Sequence, residues 1–503
     1  MNNHLTKQTL TLFLFLFSWS LIYLEAREGI HDICPLKMTP CIPTELQNLP
    51  YAIYPANVEY NTARLIFNRR FVYFPKAIIM PRTFQEAQET LLTLKKYHLN
   101  FSVRSGGHCF EPGSLSSDYV LDLQNFNSIT PNMSDETVYI GAGCRLENVI
   151  QTLGMIDRAI PTGTCPTVGI AGLTLGGGIG LLIRQFGLTC DSVKSITFLK
   201  ADGRIIEVDA LHDPDLFWAL LGAGNGSYGI VLGFTFFMHN IPEVTFYELT
   251  WEWDPTLISP IMHAWQSWVK KIPDTVSSVI GIRHPNEICS HPDEAPPLVI
   301  RIYGLKVGSE PFTEWKKSFQ DLNPHVKILT GRYLDLSRYW IAQPALPFNK
   351  AKSRILMKPM SDETIKQITH FFTKLEKKDP NYLVYFNFEV FGGVLSKFNT
   401  SFFPRNAFGW WFQAYFWDDQ SQSEEVLNLS RQFYSAIPPE VSKYCYANIV
   451  DYDLGKGYLK RYYGNHVERL IKIKNQYDPS NLFHWKQSIP NTCKKGVHCV
   501  VDN

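Results

Sequence analysis

The sequence predicts an α+β or α/β fold built in two parts, not a helical bundle. Three observations carry this. Segments of helical and strand period alternate with glycine turns between residues 83 and 143. Glycines interleaved with apolar residues recur from 161 to 191 and again at 222–229. After about residue 243 glycine thins out while tryptophan and proline rise. At 503 residues the chain also exceeds what one small core holds, so two domains, interleaved in sequence, are expected.

The elements follow in order. Residues 1–26 carry Lys7, an apolar run over 10–24 and a small-residue site at Ala26. That run is short for a membrane span of about 20 residues, so a signal peptide and export are expected, with an uncleaved anchor as the alternative. Residues 83–99 open on Thr83 and Glu86 as a capping box, with Phe84, Ala87, Leu91 and Leu94 at helical spacing. FSVRSGG (101–107) reads as a strand entering a glycine turn, and YVLDL (119–123) and TVYIGAG (137–143) as strands. SITFLKADG and IIEV give further strands, and DPDLFWALLGAGNGSYGIVLGFTFFMH gives a helix, a glycine turn and a strand. Residues 361–378 and 423–437 are amphipathic helices, and a last helix runs through YYGNHVERLIKIKNQY to stop at Asp478-Pro479.

Composition excludes several classes. Lys+Arg of 48 against Asp+Glu of 47 leaves a net charge of +1, without the basic face of a nucleic-acid binder. Neither CxxC nor HExxH occurs, so no metal site is expected. Ten cysteines suit an oxidising compartment, and Cys34–Cys41 and Cys493–Cys499 could each close a small loop.

The most informative stretch is RSGGHC, residues 104–109. Two glycines beside a histidine and a cysteine suit a phosphate, a metal, a covalently held cofactor, or a tight turn alone. Gly176-Gly177-Gly178-Ile179-Gly180 lacks the GxGxxG spacing of a dinucleotide fingerprint, and no lysine-bearing phosphate loop is present. Three separate glycine turns suggest a long ligand enclosed by several backbone segments, whose N–H groups could hold a pyrophosphate.

Taken together, RSGGHC, GTCPTVGIAGLTLGGGIG, DPDLFWALLGAGNGSYGIV and YYGNHVERLIKIKNQYDPSNLF resemble the berberine bridge enzyme-like group of FAD-linked oxidases, of the vanillyl-alcohol oxidase fold. The composition change places a second domain at about 244–450, after which the chain is expected to return to the first. The resemblance implies an α+β fold in which 27–243 and 451–503 form a two-part FAD-binding domain and 244–450 a substrate domain whose antiparallel sheet is backed by helices. It implies FAD joined to His108 through the flavin 8α-methyl group and to Cys165 through ring carbon C6. It further implies cofactor contacts from Arg104, Ser105, Gly106, Gly107, Gly163, Val168, Gly169, Gly172, Gly177, Gly178, Gly229, Ile230 and Asn448. A valine at position 168 goes in this family with oxygen access, hence with hydrogen peroxide as product.

Alcohol oxidation by a flavin needs a base for the hydroxyl proton. The stretch Tyr446-Ala447-Asn448-Ile449-Val450-Asp451-Tyr452-Asp453-Leu454-Gly455 resembles the family's tyrosine motif and makes Tyr446 the first candidate, provided its pKa is lowered. Two departures weaken the match. Phe110 replaces a common tyrosine, and Asn387 stands five residues before Gly392 where relatives carry Glu or Gln. Glu389, two residues on, shares a strand face with Asn387 and could substitute, or be a plain exposed glutamate. Phe110 and Trp410 are expected at the substrate, with Trp251, Trp253 and Trp411 as further platforms or as core. The expected partners are a small-molecule alcohol or saccharide and molecular oxygen, with no nucleic acid and no membrane after signal cleavage. Aromatic alcohols and alkaloids are alternative substrates, and a flavin-containing binding protein with little turnover is the alternative function.

Overall fold

Thr83 starts the first long helix as its spacing predicts: in extended conformation, its hydroxyl accepts the Glu86 N–H at 3.1 Å. The reciprocal half of the box is absent, because the Glu86 carboxylate turns to the backbone and guanidinium of Arg82. The helix Phe84–Lys96 buries Ala87, Leu91 and Leu94. In this computed structural model of the protein, residues 42–283, 298–340, 347–376, 382–438 and 442–491 are described. The chain divides into two units, Met1–Thr44 and Glu45–Asn503, and the sheets and the cavity belong to the second. The export segment and the cysteine pairs Cys34–Cys41 and Cys493–Cys499 lie outside the described residues. Among those described, Cys109, Cys144, Cys165, Cys190 and Cys445 are free thiols. No helix of the described residues is long and apolar enough to cross a membrane.

Three main sheets follow. The first pairs Phe101–Arg104 and Ala77–Ile79 in parallel with Tyr119–Asp122 between them, and adds Ala52–Ile53 antiparallel at one edge. The second is antiparallel and five-stranded, in the order Ile129–Asn132, Thr137–Gly141, Gly229–Phe237, Val193–Lys200, Ile205–Asp209. The third is antiparallel and seven-stranded: His325–Gly331, Val244–Glu252, Val299–Val307, Val279–Arg283, Leu383–Val390, Gly409–Trp417, Phe348–Leu356. Segregated parallel and antiparallel sheets make the fold α+β; the α/β alternative falls because only the smallest of the three is mainly parallel.

The seven-stranded sheet explains the aromatic run. Strand side chains alternate between faces, so GWWFQAYFW splits: Trp411, Tyr415 and Trp417 enter the core, while Trp410, Phe412 and Phe416 face the other way. Ile280, Ile282, Ile300, Ile302, Phe386 and Phe388 join the core face. The helices Ile258–Trp268, Asp362–Glu376 and Ser423–Ala436 cover it with Trp265, Phe372 and Phe433.

The C-terminal segment differs from the single helix its sequence suggests. Gly464, at φ +54°, separates a short helix Tyr458–Tyr463 from Val467–Tyr477. The second helix returns to the glycine turn at 222–229 through Lys474. Its buried ammonium donates to the carbonyls of Ser227 and Phe483 and pairs with Asp478 at 2.6 Å. Asp478 also accepts the N–H groups of Leu482 and Phe483, which ends the helix at the predicted Asp-Pro stop.

Candidate active site

A cavity of about 1200 Å³ is lined by the histidine turn, the 163–181 segment, the turn at 225–231 and the non-core face of the seven-stranded sheet. The first two are locked backbone to backbone. A Cβ on Gly106 would lie 2.3 Å from the Gly169 nitrogen, and one on Gly169 would lie 2.3 Å from the Gly106 nitrogen. Close approach of two turns, more than room for a pyrophosphate, is therefore what these glycines first supply. The consequence is that His108 and Cys165, 57 residues apart, meet: the imidazole Nε2 is 3.5 Å from the thiol Sγ and 3.0 Å from the Thr167 hydroxyl. Phe67 stacks on the His108 ring at 3.8 Å. Burial lowers His108 to about 4, leaving a neutral imidazole, and burial pushes the Cys165 thiol up. Val168 lines the same wall, its N–H closing the turn onto the Cys165 carbonyl at 3.3 Å.

The tyrosine motif also divides by direction. Tyr446 and Asn448 line the cavity, while Asp451 and Asp453 turn toward Lys350 and Lys352 of the sheet. Lys350 further pairs with Glu111, three residues beyond His108, at 2.6 Å. This buried network ties three segments together: the histidine turn, the tyrosine motif and the sheet edge. Burial pulls Lys350 down, yet Asp451, Glu111 and Asp453 hold it above its ordinary value, so it stays charged. The Tyr446 oxygen accepts from Gly178 N (3.1 Å), Ile179 N (3.3 Å) and Asn448 Nδ2 (2.8 Å). A lowered pKa does not result: burial outweighs the three donors and raises the phenol, and no cation offsets it.

Glu389 departs from the exposed-glutamate reading. It is 7 % exposed, sits between Val279 and Trp410 in register, and lines the cavity. Its Oε2 accepts the Trp410 indole N–H at 3.0 Å and its Oε1 has no partner. Burial raises it to about 7, only partly offset by that hydrogen bond. Asn387 lies on the same face, folded over Gly281, where a Cβ would come 2.2 Å from its Oδ1. Phe110 bridges the histidine turn and the sheet, edge-on to Phe67 and tilted against Phe412.

Three residues expected at the cofactor stand outside the cavity lining. Arg104 is buried beneath the turn, bonded to Asp122 at 2.5 Å and to the Ala63 carbonyl at 2.7 Å. Gly177 and Gly178, at φ +112° and +86°, pack against Phe402 and Thr189 and form the turn that presents N–H groups to Tyr446. Ser105, Gly107, Gly163, Gly172, Gly229 and Ile230 do line it. Of the four tryptophans singled out, only Trp410 lines the cavity; Trp251 and Trp411 are core, and Trp253 donates to Glu376 at the surface. Lys350, Lys352, Arg301 and Tyr303 were not singled out. Their signal is the alternation of Lys350, Lys352 and Arg354 in FNKAKSRIL and of Arg301 and Tyr303 in VIRIYGLKV.

The residues fit FAD. The volume exceeds the roughly 300–1,000 Å³ of sites for one small molecule, leaving space for a dinucleotide and a substrate. A Cβ at Gly172 would meet nothing within 4 Å, so backbone is laid open to a ligand there. The fold and this wall define a flavoprotein oxidoreductase. Models of two families match the chain, "FAD binding domain" at residues 75–209 and "Berberine and berberine like" at 445–490. YgaK of Bacillus subtilis, an uncharacterised FAD-linked oxidoreductase, is 32% identical over 453 residues, covering 86% of this chain and 95% of its own. The solved BBE-like 1 of Physcomitrella patens superposes with a TM-score of 0.77 at 27% identity, over 88% of this chain and 97% of that one. A carbohydrate oxidase from Microdochium nivale does so with a TM-score of 0.77 at 25% identity, over 88% and 97%. The chain belongs to the berberine bridge enzyme-like family of FAD-linked oxidoreductases.

Proposed function

We propose that the protein is an exported oxidase carrying FAD on both His108 and Cys165, which oxidises an alcohol, foremost a mono- or oligosaccharide, with oxygen as acceptor and hydrogen peroxide as product. The observation that carries this is the 3.5 Å approach of the His108 imidazole to the Cys165 thiol on one cavity wall. Residues 27–243 and 451–503 hold the cofactor and 244–450 the substrate; residues 1–26 direct export.

FAD, when bound, supplies the two-electron acceptor for the carbinol hydride. Two attachments at neutral His108 and at Cys165 fix it without enclosure, so the sheet wall remains open to a large substrate. Glu389 takes the hydroxyl proton at its unpartnered Oε1, and a carboxylate near 7 is matched to that task at neutral pH. Trp410 holds the other carboxylate oxygen and so positions Glu389. Tyr446, kept as a neutral phenol, orders the glycine turn and Asn448. Asn387 offers an amide to a substrate hydroxyl, and Trp410 and Phe412 offer apolar faces to sugar C–H groups. Val168, small at the wall, leaves room for oxygen. A sugar substrate is supported by the carbohydrate oxidase among the structural relatives.

The test is anaerobic mixing of the flavin-loaded protein with a panel of sugars and aromatic alcohols. A sugar should bleach the flavin, and air should restore the colour with peroxide. Bleaching that air does not reverse contradicts the oxidase, and bleaching by aromatic alcohols alone contradicts the sugar.

A further inference from the structure

The sheet wall of the cavity carries charge that alcohol oxidation does not use. Arg283 and Arg301 lie on neighbouring antiparallel strands, Arg301 opposite Gly281 and Arg283 opposite Val299. Two residues apart in register, they project from the same face, and both line the cavity. Arg301 is 3 % exposed, is paired with Glu248 and stacks over Tyr303 at 4.0 Å, yet its Nη2 has no hydrogen-bond partner. Arg283 Nε is likewise buried and unpartnered. Burial and the Arg283 charge together bring Arg301 down to about 10. Arg338 and Lys486 add positive charge to the lining, where Glu389 is the one carboxylate among the described residues. The whole chain, by contrast, is nearly neutral at +1.

Buried guanidinium N–H groups left unpaired are costly, and two adjacent cations repel. An anion between them removes both penalties. A planar carboxylate matches the guanidinium fork best. Resting on the alcohol-oxidase reading, we propose that Arg283 and Arg301 form a subsite for a carboxylate, so that the preferred substrate is an acidic sugar such as an oligosaccharide containing a uronic-acid residue.

The test compares cellobiose with cellobiouronic acid, which differ in one hydroxymethyl against one carboxylate. Calorimetry reads binding to the flavin-loaded protein, and anaerobic bleaching reads oxidation. The acid should bind at least about 10-fold more tightly, with an advantage that shrinks as salt rises. Arg283→Gln and Arg301→Gln should each cut the acid-to-neutral ratio by about 10-fold. Arg301→Gln strips Glu248 of its partner, so Arg283→Gln carries the result should the first fail to fold. Equal binding of the two sugars, or a ratio that Arg283→Gln does not move, overturns the subsite even if both sugars bleach the flavin. Tight, Arg283-dependent binding of the acid without bleaching upholds the subsite and removes the alcohol-oxidase reading instead.

Discussion

Trp410 and Trp411 are neighbours in sequence and lie on opposite faces of one strand. On the core face, Trp411 is fully buried and its indole N–H is bonded to Gln413, which also reaches Tyr415 and the Ser430 carbonyl. On the cavity face, Trp410 holds a carboxylate whose other oxygen is unpartnered, and Arg283 and Arg301 nearby carry unpartnered N–H groups. At this strand the core-face indole is paired, whereas the cavity face leaves a carboxylate oxygen and guanidinium N–H groups open. Since an unpaired buried polar atom costs stability, the second face keeps them for a ligand. Composition cannot separate these faces; alternation along the strand does.

The comparison is sharpened most by Glu389→Gln. Removing the base should slow anaerobic flavin reduction by about 10²–10⁴-fold, and the parent rate should rise with pH through about 7 as Glu389 ionises. Stability should move the other way. The folded state raises this carboxyl above its unfolded value, so its contribution is fully present below about pH 4.5 and lost as pH rises through about 7, a swing of roughly 3 kcal/mol. Denaturation of the flavin-free protein should therefore find the Gln variant more stable than the parent at pH 8 and nearly equal at pH 4. A variant that reduces at parental rate would remove Glu389 as the base.

On the opposite face, Trp411→Ala should cost about 3–5 kcal/mol in denaturant unfolding, whereas Trp410→Ala should cost about 1 kcal/mol and lower turnover. Equal losses in stability would erase the distinction between the faces. Asp451→Asn should cost about 3 kcal/mol by leaving Lys350 and Lys352 short of buried counter-charge. Because the network reaches Glu111, the variant should also loosen the histidine turn, seen as faster proteolysis or amide exchange there. Tyr446→Phe should cost about 1–2 kcal/mol through three unpaired donors and leave the pH midpoint of reduction near 7. A shifted midpoint would return the base to Tyr446.

Much of the fold was legible because local rules decide it. Thr83 and the Asp478-Pro479 stop mark their helices as expected, and the strands at 101–104, 119–122 and 137–141 fall where alternation and glycine turns put them. The helix break at Gly464 is not legible because a lone glycine inside a helical pattern is tolerated, and only the positive φ shows that the chain stops there. At the site, His108, Cys165, Tyr446, Asn387 and Glu389 do come to one cavity. Arg104, Gly177 and Gly178 lie off the lining of that cavity, since adjacency in a motif does not say which residues reach its surface. The burial of Glu389 and the charges of Arg301 and Lys350 depend on strands more than 80 residues apart in some cases, which no local pattern encodes.

The most direct measurement is peptide mapping by mass spectrometry of the denatured protein after free small molecules are removed. One flavin should be found bonded to both the His108 and the Cys165 peptide. A free thiol at Cys165 in protein that has been loaded with FAD would contradict it.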